Sequence, residues 1–183
     1  MKKIILSITT IFVSFVALNA QNVVTEKWDN GNKKSEGIII GNGTTVANET
    51  KEQQAQRTSA LIKDGKWMNW YENGTVRSEE HYNKGEMTGV WKSYNENGAI
   101  ESELNFTTGK AVNFHKNGQK HSEGTIKSGM ISVGKWIGYF ENGTKNYEGT
   151  YNSQGQKDGT WKWWNEKGEL TAEQTFKNGT LVK

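Results

Sequence analysis

Six carboxylates recur at a constant distance after a glycine. With that glycine taken as position 0 of a repeat, position +5 is glutamate in every copy. The zero glycines are Gly31, Gly74, Gly98, Gly118, Gly143 and Gly168, and the glutamates are Glu36, Glu79, Glu103, Glu123, Glu148 and Glu173. Such a ladder can bind cations or basic partners, and paired carboxylates can hydrolyse glycosides when their environments differ. Repeats supply like environments, so the favoured interpretation is structural: each glutamate accepts backbone hydrogen bonds or pairs with a nearby Lys or Arg.

The histidines do not recur in step. His81, His115 and His121 occupy positions +7, −3 and +3 of three different copies. If His115 and His121 meet across neighbouring strands they permit a weak metal pair, but solvated surface histidines are the favoured interpretation. The chain has no Cys, and we find no calcium-loop spacing, phosphate loop or nucleophile constellation. The sequence therefore predicts no catalytic residue, no metal and no cofactor.

Two aromatic series accompany the carboxylates. Position −7 is Trp67, Trp91, Trp136 and Trp161 in four copies, with Ala111 in the fourth copy, and position −4 is Trp70, Tyr94, Phe114, Tyr139 and Trp164. Exposed rings at regular spacing would stack on sugars, whereas buried rings would form the core of a chain that is poor in aliphatic residues. The second interpretation is favoured, and the first stays open as the alternative.

These residues must be positioned by β-hairpins. Asn precedes the zero glycine in five of the six copies, and successive zero glycines from Gly74 onward are 24, 20, 25 and 25 residues apart. Asn-Gly predicts a two-residue type I′ turn between strands rich in Trp, Tyr, Thr and Val. The fold class is therefore all-β, an antiparallel array of hairpin repeats in a single-sheet meander or solenoid, with about ten to twelve strands.

A two-residue turn also predicts which residues share a face. It pairs position −7 with +6, so Trp at −7 shares a face with +8 and with Val76, Ile100 and Leu170 at +2. The ring at −4 then shares the opposite face with the glutamate at +5. A β-bulge would break this assignment.

The chain divides into three predicted regions. Residues 1–20 have a basic start at Lys2 and Lys3, an apolar stretch and Ala20 before Gln21, which predicts a signal peptide cut after Ala20 and a secreted or periplasmic protein. Residues 21–64 hold a degenerate first repeat and a polar insertion, and residues 65–183 hold five tandem repeats. Removing the signal peptide takes away two lysines and no acid, so the net charge falls from +3 to +1. A near-neutral chain does not favour nucleic acid as a partner, and no membrane span is expected after cleavage.

The unit from Gly65 to Gly74, with Trp67, Trp70 and Asn73 inside it and Glu79 and Tyr82 after it, resembles the variant MORN repeat. The resemblance covers residues 65–183 well and 24–40 poorly. It implies a β-hairpin array with an interaction role and supplies no catalytic residues. The chain is also similar to bacterial proteins with this repeat variant that form an antitoxin family of the YwqK type. We therefore expect a non-enzymatic, exported scaffold for a protein partner, with an antitoxin-like or immunity-like role implied by the resemblance; the alternative is a carbohydrate- or cell-wall-binding module.

Overall fold

The computed structural model describes residues 22–40 and 62–182. The predicted signal peptide and most of the predicted polar insertion lie outside these residues. The described chain divides into two compact units between Met87 and Thr88. Within residues 22–40 and 62–182, no helix is long and apolar enough to cross a membrane.

The first unit is an antiparallel meander in which each strand pairs with the one before it. Its strands are β1 (Asn22–Lys27), β2 (Lys33–Ile40), β3 (Ile62–Trp70), β4 (Val76–Asn83) and β5 (Glu86–Met87).

The second unit repeats the same connection with nine strands. They are β6 (Val90–Tyr94), β7 (Ile100–Asn105), β8 (Lys110–Phe114), β9 (Lys120–Lys127), β10 (Ile131–Tyr139), β11 (Lys145–Tyr151), β12 (Lys157–Trp164), β13 (Leu170–Lys177) and β14 (Thr180–Leu181). A three-residue 3-10 turn, Ser128–Met130, joins β9 to β10. The predicted all-β hairpin meander is confirmed within each unit. The described residues form fourteen strands, two more than the upper limit expected, because β5 and β14 are short two-residue strands.

The predicted type I′ turn at Asn-Gly is wrong. In the hairpin of β3 and β4, the amide of Gly74 donates to Tyr71 O and the amide of Tyr71 donates to Thr75 O, which encloses a three-residue loop. Gly74 has φ +87°, whereas Asn73 is not among the residues with positive φ. This is a type I turn followed by a left-handed glycine, which needs one positive φ where type I′ needs two. The same pair of bonds closes the turns at Gly31, Gly98, Gly118, Gly143 and Gly168.

Genuine two-residue turns with two positive φ angles occur instead after the hairpins. Lys84 and Gly85 connect β4 to β5, and Asn178 and Gly179 connect β13 to β14. A type I′ turn therefore forms before the two-residue strand that ends each unit, β5 or β14, and not at the turn that recurs in each repeat.

The predicted register holds away from the turn and fails beside it. Position −7 pairs with +6, as in Trp67 with Glu80 and Trp161 with Gln174. Next to the turn, one extra residue at +3 forms a bulge, so Trp70 pairs with Val76. Position +2 therefore faces the ring at −4. The expectation that Val76, Ile100 and Leu170 share the face of the −7 tryptophans is wrong for this reason, and Ile100 and Leu170 pair likewise with Tyr94 and Trp164.

Candidate interaction faces

Three of the four tryptophans at −7 are core residues that lock one hairpin onto the one before it. Trp67, Trp136 and Trp161 are 6%, 6% and 2% exposed. Their Nε1 atoms donate to backbone carbonyls at +7 of the preceding copy, at 2.9–3.1 Å; the acceptors are Ile38 O, Thr125 O and Thr150 O. Both the ring and its only donor are therefore used inside the array.

A glycine at position +6 of the preceding copy makes room for each of these rings. A Cβ atom on Gly37, Gly124 or Gly149 would lie only 2.2, 2.3 or 2.1 Å from a ring atom of the next tryptophan. Each indole therefore lies directly against bare backbone. This role of the +6 glycines was not predicted from the sequence, although the coincidence of glycine at +6 with tryptophan in the following copy is visible in the chain.

The fourth copy reverses the sizes of the two partners. Ala111 stands where the other copies have Trp, and it pairs with Leu104 at +6 of the preceding copy. Ala111 is 1% exposed and belongs to a cluster with Ile126 and Trp136, against which Leu104 packs. A large residue opposite a small one thus fills the interface in either order, as close packing requires.

Aromatic contacts continue along the tryptophan face, which we define as the side chains at −7, −5, +4, +6 and +8. Tyr147 stacks on Trp161 at 5.9 Å between ring centres, and Trp161 stacks on Trp163 at 6.0 Å. Trp91 is only half-buried, and its ring meets Phe106 edge-on at 4.8 Å.

Lysines cap this face. Lys157 Nζ lies 4.5, 4.9 and 5.0 Å from the ring centres of Trp161, Trp163 and Phe176. In the first unit the equivalent Lys63 Nζ lies 4.5 Å from Trp67 and 4.8 Å from Tyr82. A cation at this distance is attracted by the ring faces, so the ammonium groups occupy the place where a ligand would stack.

Every glutamate of the ladder is paired with lysine. The ion pairs join Glu36 to Lys33, Glu79 to Lys66, Glu103 to Lys92, Glu123 to Lys120, Glu148 to Lys145 and Lys135, and Glu173 to Lys162, at 2.7–3.5 Å. The hydrogen bonds from Lys33, Lys120 and Lys145 lower the pKa of Glu36, Glu123 and Glu148 below the ordinary value. The carboxylates are therefore neutralised locally, as the structural interpretation of the ladder requires.

Rings at −4 lie on this second face, which we call the charged face (positions −6, −4, +2 and +5). Lys33 and Lys145, at +2, extend over Trp70 and Trp164 of the next copy, at 5.4 and 4.9 Å from the ring centres. Tyr139 instead donates its hydroxyl to Glu123 at 2.8 Å, and burial followed by this hydrogen bond raises the pKa of Tyr139 to about 12. Tyr94 and Phe114 are half-buried.

The turns are joined to one another by the asparagine at −1. Asn142 Oδ1 accepts from its own turn at Thr144 N, at 2.9 Å, while its Nδ2 donates to Glu166 O of the next turn at 3.1 Å. Asn30 and Asn117 make the equivalent contacts to Glu72 O and Glu141 O. Asn is therefore selected by these two side-chain bonds and not by a left-handed backbone.

The turn edge of the second unit also carries a groove. His115, His121, Tyr139, Phe140, Glu141 and Glu166 line it together with three asparagines. His115 and His121, whose contact the sequence left as an open alternative to solvated surface histidines, meet here: their ring centres are 4.7 Å apart. Within the described part of the chain, no three His, Cys, Asp or Glu side chains are grouped to hold a metal ion.

Comparison with known families identifies four repeats. Residues 63–84, 87–108, 132–153 and 157–178 match the MORN repeat variant. The chain thus carries four variant MORN repeats, two of which span β3–β4 and β12–β13. The hairpin of β8 and β9, with Ala111 in place of Trp, lies outside the matched residues. No curated protein matches the chain.

Proposed function

We propose that this array of variant MORN repeats is an exported, non-enzymatic scaffold that binds a protein partner. The observation that carries the proposal is that the aromatic rings are buried or half-buried inside the array and do not form an exposed binding platform. Within residues 22–40 and 62–182 every Trp, Tyr and Phe side chain is buried or half-buried, and the large exposed hydrophobic residues are all aliphatic or Met. The rings therefore hold the array together, and a lattice of Lys–Glu pairs runs along the charged face.

A lattice of this kind suits a protein surface. Each hairpin places one glutamate at the same register, paired with lysine at −6, −8 or +2, so the carboxylates recur once per two strands, or about every 10 Å within a unit. Repeat arrays use such extended surfaces for binding, and complementary charges set the association rate and specificity more than the affinity.

A sugar-binding role is not favoured because its platform is occupied. Lys157 covers three rings of the tryptophan face, and Lys33 and Lys145 cover rings of the charged face. A sugar that stacks on these rings would first have to displace an ammonium group, at a cost of about 0.5–2 kcal/mol for each cation–π contact.

Export and an immunity-like role are the finer parts of the proposal. They are supported by the signal-peptide pattern of residues 1–20 and by the resemblance stated from the sequence. Together they specify a partner met outside the cytoplasm, such as an exported toxin. Mass spectrometry of the mature N terminus tests export: a chain that begins at Gln21 in the envelope or medium supports it, and an intact Met1 in the cytoplasm contradicts it.

The partner is tested by cross-linking of residues 21–183 in envelope extract, followed by a binding titration with the captured protein. Charge reversal of Lys92 and Lys162 to Glu should weaken binding at least tenfold, because both lie on the charged face. The matched control is Lys116→Glu at a turn, which should bind normally. Equal binding by all variants would refute the charged face as the docking surface. A tryptophan emission shift with peptidoglycan fragments or glucans would favour the alternative function.

A further inference from the structure

Two imidazoles are held side by side at one turn of the second unit. His115 follows β8 at position −3, and His121 lies in β9 at the bulge position +3. The ring centres are 4.7 Å apart and the ring planes make an angle of 78°. In the equivalent pairs of other copies, Lys34 lies over Trp28 and Arg77 lies over Tyr71. The bulge therefore brings −3 and +3 together, and in this copy both positions hold metal-ligating side chains.

The proton on one of these rings is fixed by the backbone of the next hairpin. His115 Nε2 lies 2.8 Å from Tyr139 O. A carbonyl oxygen only accepts hydrogen bonds, so Nε2 carries the hydrogen and the neutral ring keeps its lone pair on Nδ1. Metal-ligating histidines are commonly held in this way, with the second ring nitrogen donating to a carbonyl.

The separation of the rings suits a shared ion. A zinc–nitrogen bond is about 2.0–2.1 Å, and a ring centre lies about 1.1 Å beyond its nitrogen, so each centre would be about 3.2 Å from the ion. If His115 Nδ1 and a ring nitrogen of His121 both point at one ion, centres 4.7 Å apart subtend an angle of about 95° there, between the octahedral and tetrahedral angles.

The site is open to an entering ion. His121 is exposed, and the groove beside the pair is lined by Tyr139, Glu141 and Glu166. Because the described residues contain no group of three ligating side chains, two imidazoles would hold the ion and water would complete its coordination. Imidazole ligands suit copper, zinc and nickel, whereas magnesium prefers oxygen.

We propose that His115 and His121 form a binding site for one divalent transition-metal ion, with Cu²⁺ bound more tightly than Ni²⁺ or Zn²⁺ and Mg²⁺ not bound. The site is additional to the scaffold role and does not depend on it. The Irving–Williams order for nitrogen ligands sets this ranking.

Titration calorimetry of untagged residues 21–183 with CuCl₂, ZnCl₂, NiCl₂ and MgCl₂ tests the site. The wild type should bind one Cu²⁺, His115→Gln and His121→Gln should each bind at least tenfold more weakly, and the double variant should not bind at this site. His81→Gln is the matched control, because the chain has three histidines and this one lies outside the pair. Electron paramagnetic resonance of the Cu²⁺ complex should show coupling to two imidazole nitrogens, reduced to one in either single variant.

Several results would overturn the proposal. These are an absence of Cu²⁺ binding by the wild type, unchanged binding by the double variant, or loss of binding in His81→Gln. His121→Gln keeps the bond between His115 and Tyr139 O, so far-UV circular dichroism of this variant separates loss of a ligand from loss of the fold.

Discussion

Replacement of Gly149 by alanine tests the packing rule on which the array depends. The new Cβ would lie 2.1 Å from Trp161 Cδ2, whereas carbon atoms pack at about 3.5–4.0 Å. The indole is 2% exposed, and its Nε1 donates to Thr150 O, so it has little room to move. Either the ring or the strand must therefore shift by about 1.5 Å.

The expected free-energy change has three parts. Overpacking costs about 1–3 kcal/mol, and loss of the indole hydrogen bond costs about 0.5–1.5 kcal/mol. Exchange of glycine for alanine in a strand returns about 0.5–1 kcal/mol. We expect a net destabilisation of about 2 kcal/mol, measured by urea unfolding followed by far-UV circular dichroism with the m-value unchanged.

Another interface of the chain suggests a pair of substitutions that should compensate for each other. The pair Leu104 and Ala111 fills the equivalent interface with the sizes reversed. Gly149→Leu and Trp161→Ala should each be strongly destabilising, the latter by about 3–5 kcal/mol. The double variant should be at least about 2 kcal/mol more stable than the sum of the single effects predicts. Strict additivity, or a Gly149→Ala variant as stable as the wild type, would refute the packing argument.

Three further predictions concern the lysine, glutamate and asparagine series. Lys157→Met should lower the free energy of unfolding by about 1–2 kcal/mol because its ammonium lies over three rings, whereas Lys167→Met at an exposed turn should leave it unchanged. The pKa of Glu123 is lowered in the folded state, so its contribution to stability is present above the ordinary value of 4.5 and is lost as the pH falls through the folded pKa. Glu123→Gln should flatten this acid limb of the stability curve by well under 1 kcal/mol, and an unchanged limb would contradict the ion pair. Asn142→Ala should lower the free energy of unfolding by about 1–2 kcal/mol, measured by thermal or urea unfolding, because it removes both the bond to Thr144 N and the bond to Glu166 O. An equal loss in the control Gln154→Ala, at another exposed loop, would contradict this prediction.

The sequence predicts the hairpins and their register but not the local backbone at the turn. The recurrence of Trp at −7 and Glu at +5 is enough to place the strands, because period-two alternation fixes which residues face each other. The turn type was wrong because Asn-Gly is compatible with both a two-residue and a three-residue loop. The residue before the glycine does not decide between them, because Lys167 precedes Gly168 and that turn forms the same three-residue loop.

At the candidate sites, too, some features could be predicted from the sequence and others could not. The pairing of each glutamate with lysine follows from composition and spacing, and the core role of the tryptophans follows from the scarcity of aliphatic residues. The position of the Lys157 ammonium over three rings could not be predicted from the sequence. It depends on how the strands bring the side chain at position −11 over the rings at positions +8 and −5 of the same copy. The contact of His115 with His121 was an open alternative because its distance depends on the bulge at +3.

Comparison of the copies separates the positions that the fold requires from those it leaves free. Position +5 keeps its charge in every copy, and a large residue at −7 or +6 faces a small one across the interface, as in Trp161 with Gly149 and Leu104 with Ala111. Positions −3 and +3 hold Trp28 with Lys34, Tyr71 with Arg77, His115 with His121, and Phe140 with Asn146. The bulge brings these side chains to the turn edge, where the packing rule sets no fixed residue type. The differences between copies are concentrated at this edge, where His115 and His121 would hold their ion, while the Lys–Glu pairs of the charged face recur in every copy and orient and dock the protein partner.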